Sequence, residues 1–323
     1  MTRFRTLAAL LLCTLLVPTA SFAGISFWGY TGIAGPDGNR LSEVTAGGIP
    51  TNVASVDFAE VWTSTNLGAI TTSFRAAGVK SALFLDNVLF KQFYVTSSNC
   101  SDANGPFLWR LRGNWQDRLA NFVTTNGANI NSTTTLFIVV QSEVNNRCVP
   151  LGDVQTAATA VKAYFPNLPT VMGYGRSPGA QPAPASIPSA IDWVGLFKYG
   201  TFQPSDPNNP NNADNQFLVE FNSLLSKLSS NQRVILVPDG FWATFLHAHL
   251  NSQNGPGTGW PKWYLQYVAL NYESFALSQP KVVGMIVFLW PSALPDITGT
   301  KDLPQAIRDR HREIGCRNLG RCM

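Results

Sequence analysis

Eight short runs of apolar and β-branched residues recur along the chain at roughly regular intervals, and this repetition constrains the fold more than any other feature. The runs begin at Gly24, Val53, Val79, Thr134, Pro169, Asp192, Arg233 and Lys281. Several of them are almost continuously apolar, which is typical of parallel strands that are buried on both faces. The pattern therefore predicts eight parallel β-strands.

Helix-like segments separate most of the predicted strands. They cover residues 67–78, 115–127, 151–166, 212–231, 261–279 and 302–315. Several end at a glycine or a proline, which stops a helix for steric reasons, whereas the first connection, residues 33–50, shows no helix of ordinary length. Pro- and Asn-rich stretches follow strands five and six and are interpreted as elaborated loops.

The alternation of strand and helix through eight strands predicts an α/β protein with a single (β/α)8 barrel over residues 24–323. An open, doubly wound sheet is the structural alternative. No glycine-rich phosphate-binding motif opens any of the predicted helices, so a nucleotide-binding sheet of that kind is not favoured.

Residues 1–23 have the three parts of a secretory signal peptide. Arg3 and Arg5 precede an apolar stretch, and small residues surround a cleavage point near Ala23. Because the apolar stretch is short for a bilayer span, an uncleaved membrane anchor is the less favoured alternative. We expect a secreted protein, extracellular or periplasmic, with no membrane association after cleavage.

The charge balance excludes some classes of partner. Loss of Arg3 and Arg5 with the signal peptide lowers the formal net charge from +4 to +2, and no basic block remains. Nucleic acid and anionic membranes are therefore poor candidates. Only 13% of the residues are charged, so the surface depends on Asn, Ser, Thr and Gln, which suits a protein that handles neutral ligands.

Four cysteines remain after signal cleavage, and an even number in an exported chain indicates disulfides. We expect the pairs Cys100–Cys148 and Cys316–Cys322, with free thiols or another pairing as the alternative. A metal site is not expected, because the chain has no CxxC motif and only three histidines. No other cofactor is indicated.

Acidic residues stand where four of the predicted strands end. They are Glu60, Asp86, Glu143 and Asp239, after strands two, three, four and seven. Aromatic residues and a lysine end or follow several strands as well: Trp28, Trp62, Lys198, Tyr199, Trp242 and Trp290. The active sites of (β/α)8 barrels form at the carboxyl ends of the strands, so these residues are expected to share one site.

Carboxylates beside aromatic rings suit a carbohydrate. Sugar rings stack on aromatic faces, and cleavage of a glycosidic bond needs one carboxyl to protonate the leaving oxygen and a second to attack the anomeric carbon or to activate water. Strands four and seven lie nearly opposite each other in a barrel of eight. Glu143 and Asp239 are therefore the predicted catalytic pair, and the other acidic, basic and aromatic residues are predicted to bind the substrate.

The layout resembles the (β/α)8 glycoside hydrolases of the large retaining group, which place an acid/base Glu at the end of strand four and a nucleophilic Glu at the end of strand seven. Three short segments carry the resemblance: VVQSEVNN with Glu143, LVPDGFW with Asp239, and IVFLWPS with Trp290. The resemblance implies a secreted glycoside hydrolase that acts on a poly- or oligosaccharide, with Trp290 as a sugar platform.

Two residues depart from the pattern of that group. Ser142 precedes Glu143 where the group has Asn, and Asp239 stands where the group has Glu. The shorter aspartate favours a wider separation of the carboxyls and a water-mediated, inverting reaction. It also leaves open a barrel that binds a glycan, or acts as a scaffold, without turnover. A third interpretation, an aldolase or lyase that uses Lys198 as a Schiff-base nucleophile, is the least favoured.

Each predicted site residue also has a purely structural interpretation. Glu143 could pair with Arg147, Arg176 or Lys198. Asp239 could be part of a turn, Asp86 could form a turn with Asn87, and Glu60 could form a surface ion pair. Lys198 could extend along the surface, and the tryptophans could pack in the core.

Overall fold

The computed structural model describes residues 24–94, 107–175, 186–199, 216–243, 265–292 and 296–321. Eight parallel strands form the centre of the protein. They are β1 (Trp28–Gly35), β2 (Val53–Asp57), β3 (Lys80–Phe84), β4 (Thr135–Gln141), β5 (Thr170–Gly175), β6 (Trp193–Phe197), β7 (Arg233–Val237) and β8 (Val282–Val287). Each strand pairs with the next along the chain, and β8 pairs with β1. The sheet is therefore a closed barrel, as predicted, and the open doubly wound alternative is wrong.

Helices surround the barrel. They are α1 (Leu41–Ala46), α2 (Leu67–Ala76), α3 (Asp86–Leu89), α4 (Trp115–Asn126), α5 (Leu151–Tyr164), α6 (Gln216–Leu225), α7 (Leu265–Ser278) and α8 (Gln305–Leu319). Short 3-10 turns occupy Trp62–Ser64, Gly127–Asn129 and Thr300–Asp302. All six predicted helical segments contain a helix, and the first connection holds only the six-residue α1. No helix in the described part of the chain is long and apolar enough to cross a bilayer.

Two short pairs of strands extend the loops at the carboxyl end of the barrel. A hairpin of Phe90–Tyr94 with Phe107–Leu111 follows α3, and the two-residue strands Trp242–Ala243 and Ile297–Thr298 join the loops after β7 and β8. A two-residue strand, Gly38–Asn39, pairs antiparallel with the end of β1. The sequence did not predict these additions.

The apolar side chains form two clusters that follow the alternation of residues along the strands. One fills the barrel, with Phe27, Phe137 and Ile235 among its members. The other lies between the strands and the helices and is larger. Because neighbouring residues on a strand point to opposite faces, strands β2 to β8 each contribute to both clusters, and Phe27, just before β1, contributes to the interior one. This explains why most of the strands are apolar throughout.

Close packing inside the barrel requires glycine at one position of β1. A Cβ atom on Gly29 would lie 1.7 Å from the carbonyl oxygen of Val53 on β2. That atom belongs to the backbone of a central strand, so it cannot move away without breaking the pairing of β1 with β2. Gly29 is therefore a structural requirement of barrel closure.

We expect the substitution Gly29→Ala to lower the free energy of unfolding by more than about 3 kcal/mol, because overpacking against backbone cannot be relieved by a rotamer change. The measurement is chemical denaturation. Gly113→Ala is the matched control, since a Cβ there has no atom within 4 Å, and it should leave stability nearly unchanged. Equal stability of the two variants would contradict the prediction.

A buried histidine joins β1 to the last helix. His311 of α8 is 1% exposed, and its Nδ1 shares a hydrogen bond of 3.0 Å with the hydroxyl of Tyr30. The ring of Trp28 contacts His311 at a centroid distance of 5.7 Å, and the ring of Trp290 contacts Tyr30 at 5.1 Å. Burial lowers the pKa of His311 to about 4.

This histidine makes the protein less stable in acid. In the unfolded chain the His311 imidazole binds a proton near pH 6.5, whereas in the folded protein it stays neutral down to about pH 4. The free energy of unfolding therefore falls as the pH decreases between these values. The expected loss from this group is roughly 3 kcal/mol. Unfolding curves at a series of pH values should be flatter for His311→Gln than for the wild type, and identical pH dependence would refute the assignment.

Candidate active site

The residues that line the mouth of the barrel lie at or just beyond the carboxyl ends of the strands. They keep the same spacing of two as the inward-facing residues of each strand. The described members of this set are Asp57, Asp86, Gln141, Glu143, Tyr199, Asp239 and Phe288. Every second residue of a strand faces the barrel interior, so residues two or four positions beyond an interior apolar residue reach the mouth. Three of the four predicted acids, Asp86, Glu143 and Asp239, belong to this set.

Asp57 is the carboxylate that ends β2, and the sequence analysis assigned that position to Glu60. The hydroxyl of Ser55 donates to Asp57 Oδ2 at 2.8 Å and accepts from the backbone N–H of Gly32 at 2.8 Å. Burial raises the pKa of Asp57 to about 7, the hydrogen bond from Ser55 opposes the rise, and the charge of Asp86 adds to it. Asp57 therefore changes charge near neutral pH.

Glu60 lies outside the mouth. Its side chain is 63% exposed and accepts a hydrogen bond of 2.7 Å from Arg112 Nη1. The ring of Trp62 lies nearby, under the guanidinium of Arg118, with 4.7 Å between the guanidinium carbon and the ring centroid. These contacts favour the surface ion pair that was the structural alternative for Glu60, and they place Trp62 against α4.

Asp86 is at the mouth, but protein groups surround its carboxylate. The residue is 7% exposed. Its Oδ2 accepts hydrogen bonds from the hydroxyl of Ser142 at 2.6 Å and from Arg147 Nη1 at 2.9 Å. The Asn87 side chain bonds instead to the carbonyl of Phe58, at 3.2 Å. Arg147, one of the cations considered as a partner of Glu143, therefore forms an ion pair with Asp86.

Glu143 occupies an unusual backbone conformation directly after β4. Its φ is +48°, in the left-handed region that residues with a side chain seldom adopt. A Cβ on Gly173 of β5 would lie 2.6 Å from the backbone nitrogen of Glu143, and the N–H of Val144 donates to the Gly173 carbonyl at 3.0 Å. The glycine on β5 therefore makes room for the turn that carries the acid.

Asp239 lies across the barrel after β7 and is 2% exposed. It forms an isolated parallel bridge with Phe288, and the N–H of Gly240 donates to the Phe288 carbonyl at 2.6 Å. The loop after β7 is thus joined to the end of β8. This pairing fixes the backbone on which the carboxylate of Asp239 is mounted.

Tyr199 connects the two predicted catalytic acids. Burial raises the pKa of its hydroxyl well above the usual value, and the charges of Glu143 and Asp239 add to the rise. Because a charge shifts a pKa only at short range, both carboxylates lie in the neighbourhood of this phenol. The ring of Tyr199 stacks on Phe288 at 5.3 Å. Its hydroxyl is buried and makes no hydrogen bond within the described part of the chain.

Two of the predicted sugar platforms lie away from the mouth. Trp28 and Trp290 are 0% and 2% exposed and belong to the cluster between the strands and the helices. The indole N–H of Trp290 donates to Glu43 Oε2 at 3.2 Å. Neither ring presents a free face to a ligand, so the structure supports core packing for both. Phe288, which the sequence analysis missed, is the aromatic residue at the mouth directly after β8.

Lys198 and Trp242 complete the predicted set. Lys198 stands between two residues of the interior cluster, Phe197 and Tyr199, so alternation puts it on the helix side of the strand. The hydroxyl of Tyr272 on α7 donates to its carbonyl at 2.7 Å. Trp242 is half-buried in the short strand pair beside the mouth.

Some predictions concern residues beyond the described ranges. Cys100 and Cys322 lie outside them, so both cysteine pairings stay predictions. The signal peptide and Arg176, which ends the predicted fifth strand, also lie outside them. Within the described ranges no group of three or more His, Cys, Asp and Glu residues could hold a metal ion.

A titration tests the environment of Asp57. We expect its carboxyl carbon to titrate near pH 7 in NMR spectra, because desolvation disfavours the charged form. The variant Asp57→Asn should abolish this signal, and Ser55→Ala should move it to higher pH because a hydrogen bond to the charged form is lost. Asp192, whose carboxylate pairs with Lys162 at 2.7 Å, is a control signal that neither variant should move. Titration of Asp57 near pH 4 would contradict the assignment.

Comparison with known proteins finds matches at the level of structure only. No protein-family profile and no curated protein sequence matches the chain. Among solved structures, a GH113 β-1,4-mannanase superposes over 92% of this chain and 99% of its own, with a TM-score of 0.51 and 11% identity.

Two further structures have the same TM-score of 0.51. A Ruminococcus gnavus β-glucuronidase is matched over 90% of this chain and 51% of its own at 10% identity. ScGas2, solved in complex with a small compound, is matched over 93% and 66% at 9% identity. At such low identity the likeness establishes the fold alone: this chain has the (β/α)8 barrel that these three structures share.

Proposed function

We propose that the protein is a secreted glycoside hydrolase that acts on a poly- or oligosaccharide at the mouth of the barrel. The proposal is supported by the positions of Glu143 and Asp239 just after β4 and β7, on opposite sides of the closed barrel, and by the charges of both acids, which add to the raised pKa of the buried Tyr199 hydroxyl. Two carboxyls facing a shared space are the minimum that hydrolysis of a glycosidic bond requires. The barrel is also the one found in the mannanase and the glucuronidase described above.

In this proposal Glu143 is the general acid. Its carboxyl donates a proton to the glycosidic oxygen as the bond from that oxygen to the anomeric carbon breaks. Asp239 either attacks the anomeric carbon, to give a glycosyl-enzyme that water then hydrolyses, or removes a proton from a water that attacks directly. The separation of the two carboxyls in the sugar complex decides between retention and inversion. The charges of both acids act on the buried hydroxyl of Tyr199 and add to its raised pKa.

Export and the cysteine pairs are parts of the same proposal. Residues 1–23 would direct the chain out of the cytoplasm, where disulfides persist. The Cys100–Cys148 pair would then tie the hairpin after α3 to the loop that follows Glu143. The Cys316–Cys322 pair would close the end of α8.

A second candidate is a barrel that binds a glycan without hydrolysing it. Asp239 is 2% exposed and has a short side chain, and the hydroxyl of Ser142 is taken up by Asp86. Both features reduce the polar surface that the mouth offers to a sugar. Binding without turnover would leave Tyr199, Phe288 and Trp242 as the contact residues.

The substitution Glu143→Gln separates the two candidates. If the protein is a hydrolase, it should release reducing sugar from at least one member of a panel of mannan, xylan, β-glucan and aryl glucuronides. The variant should be slower by at least about 100-fold, since general acid catalysis contributes at least that much. Glu313→Gln on the exposed face of α8 is the matched control and should keep full activity.

The outcomes are distinct. Turnover that depends on Glu143 supports the hydrolase. No turnover, with binding of a polysaccharide that Tyr199→Ala weakens in affinity electrophoresis, supports the second candidate. Turnover that survives in Glu143→Gln at the wild-type rate overturns the role of Glu143.

A further inference from the structure

The backbone at Glu143 has to be held in place by its surroundings. A left-handed φ is unfavourable for a residue with a side chain and persists only where neighbouring contacts over-determine it. On the β5 side the turn is held by the Gly173 backbone, which accepts the N–H of Val144. The turn that carries Glu143 also needs a contact on its other side, which faces β3.

Asp86 provides that second restraint. One oxygen, Oδ2, accepts hydrogen bonds from Ser142, immediately before Glu143, and from Arg147, four residues after it. The N–H of Arg147 donates to the carbonyl of Glu143 at 3.0 Å. Both ends of the segment that contains Glu143 are therefore hydrogen-bonded to one carboxylate, that of Asp86 at the start of α3, just after β3.

The guanidinium of Arg147 is itself fixed. It donates to Gln141 Oε1 at 3.2 Å and stacks on the ring of Trp109, with 4.5 Å between the guanidinium carbon and the ring centroid. The backbone N–H of Trp109 donates to the Arg147 carbonyl at 3.1 Å. Asp86 and Trp109 together restrict Arg147 to one position.

We propose that Asp86 is a positioning residue for Glu143 and not a ligand of the sugar, as its place at the end of β3 had suggested. It holds the turn that carries Glu143 in position, and it forms an ion pair with Arg147, the only cationic residue among residues 142–147. A turn held in one position keeps the carboxyl of Glu143 where it can donate its proton to the substrate. This consequence for catalysis rests on the function proposed above, whereas the structural role of Asp86 does not.

The structural role can be tested without any substrate. Crystal structures of the wild type, Asp86→Asn and Asp192→Asn should be compared. Asparagine keeps the size of the side chain but loses the charge, so residues 142–147 should rearrange in Asp86→Asn and Glu143 should leave the left-handed region. Asp192 also accepts from a lysine, Lys162, and lies at the opposite end of the barrel, so its variant should leave the turn unchanged.

An unchanged turn in Asp86→Asn would overturn the proposal. If that variant does not fold, Ser142→Ala removes only the hydrogen bond at 2.6 Å and should displace the same turn to a smaller extent. A turn that keeps its wild-type position in Ser142→Ala would then be the contrary result.

Kinetics supply the second readout, on whichever polysaccharide the wild type hydrolyses. A misplaced acid should lower kcat by about 100-fold and leave KM within a small factor. A rise in KM with kcat intact would identify Asp86 as a sugar ligand and refute the proposal. Should the wild type hydrolyse nothing, the proposed function fails, and the crystallographic comparison still decides the role of Asp86.

Discussion

Closure of the barrel between β8 and β1 is the constraint on which the rest of the structure depends. Trp28 to Tyr30 pair with Met285 to Val287 in parallel register, and this pairing leaves no open edge among the eight strands. All strands then end on the same rim, so side chains that are far apart in sequence meet there. Closure also requires β1 to lie close to β2. At position 29 only glycine, which has no Cβ atom, allows this approach without displacing Val53.

The alternation of side chains across the strands divides the residues at the rim into two groups with different roles. Tyr199 faces the interior, where the charges of Glu143 and Asp239 add to its raised pKa, while its neighbour Lys198 lies on the helix side. By the same alternation Asp57 faces the mouth, whereas Glu60 faces away from it and forms a surface ion pair with Arg112. A residue's distance from the end of a strand therefore matters less than whether that distance is odd or even.

Two properties of the mouth stand out: the backbone position of Glu143 is tightly restrained, and one carboxyl at the mouth has a raised pKa. Glu143 is held between Gly173 on one side and Asp86 on the other, so its position is defined by two neighbouring strands. Asp57 adds a carboxyl whose pKa is raised to about 7 by burial, so the net charge of the mouth changes around neutral pH. These features are consistent with the proton transfer that the proposed hydrolysis requires.

The sequence by itself determined the eight strands and the helices between most of them, because strand and helix periodicities are local properties of the chain. It also indicated that Asp86, Glu143 and Asp239 follow strands three, four and seven, but after strand two it selected Glu60. It also contained the signal for Asp57, since the alternation that begins at Val53 leads to it. It could not determine that Trp28 and Trp290 pack against Tyr30 in the outer cluster, or that Asp86 engages Arg147 and Ser142. Apart from the contact between Trp28 and Tyr30, which both lie on β1, those contacts join residues that are far apart in the chain, and only the closed barrel brings them within the few ångströms over which packing and hydrogen bonds act.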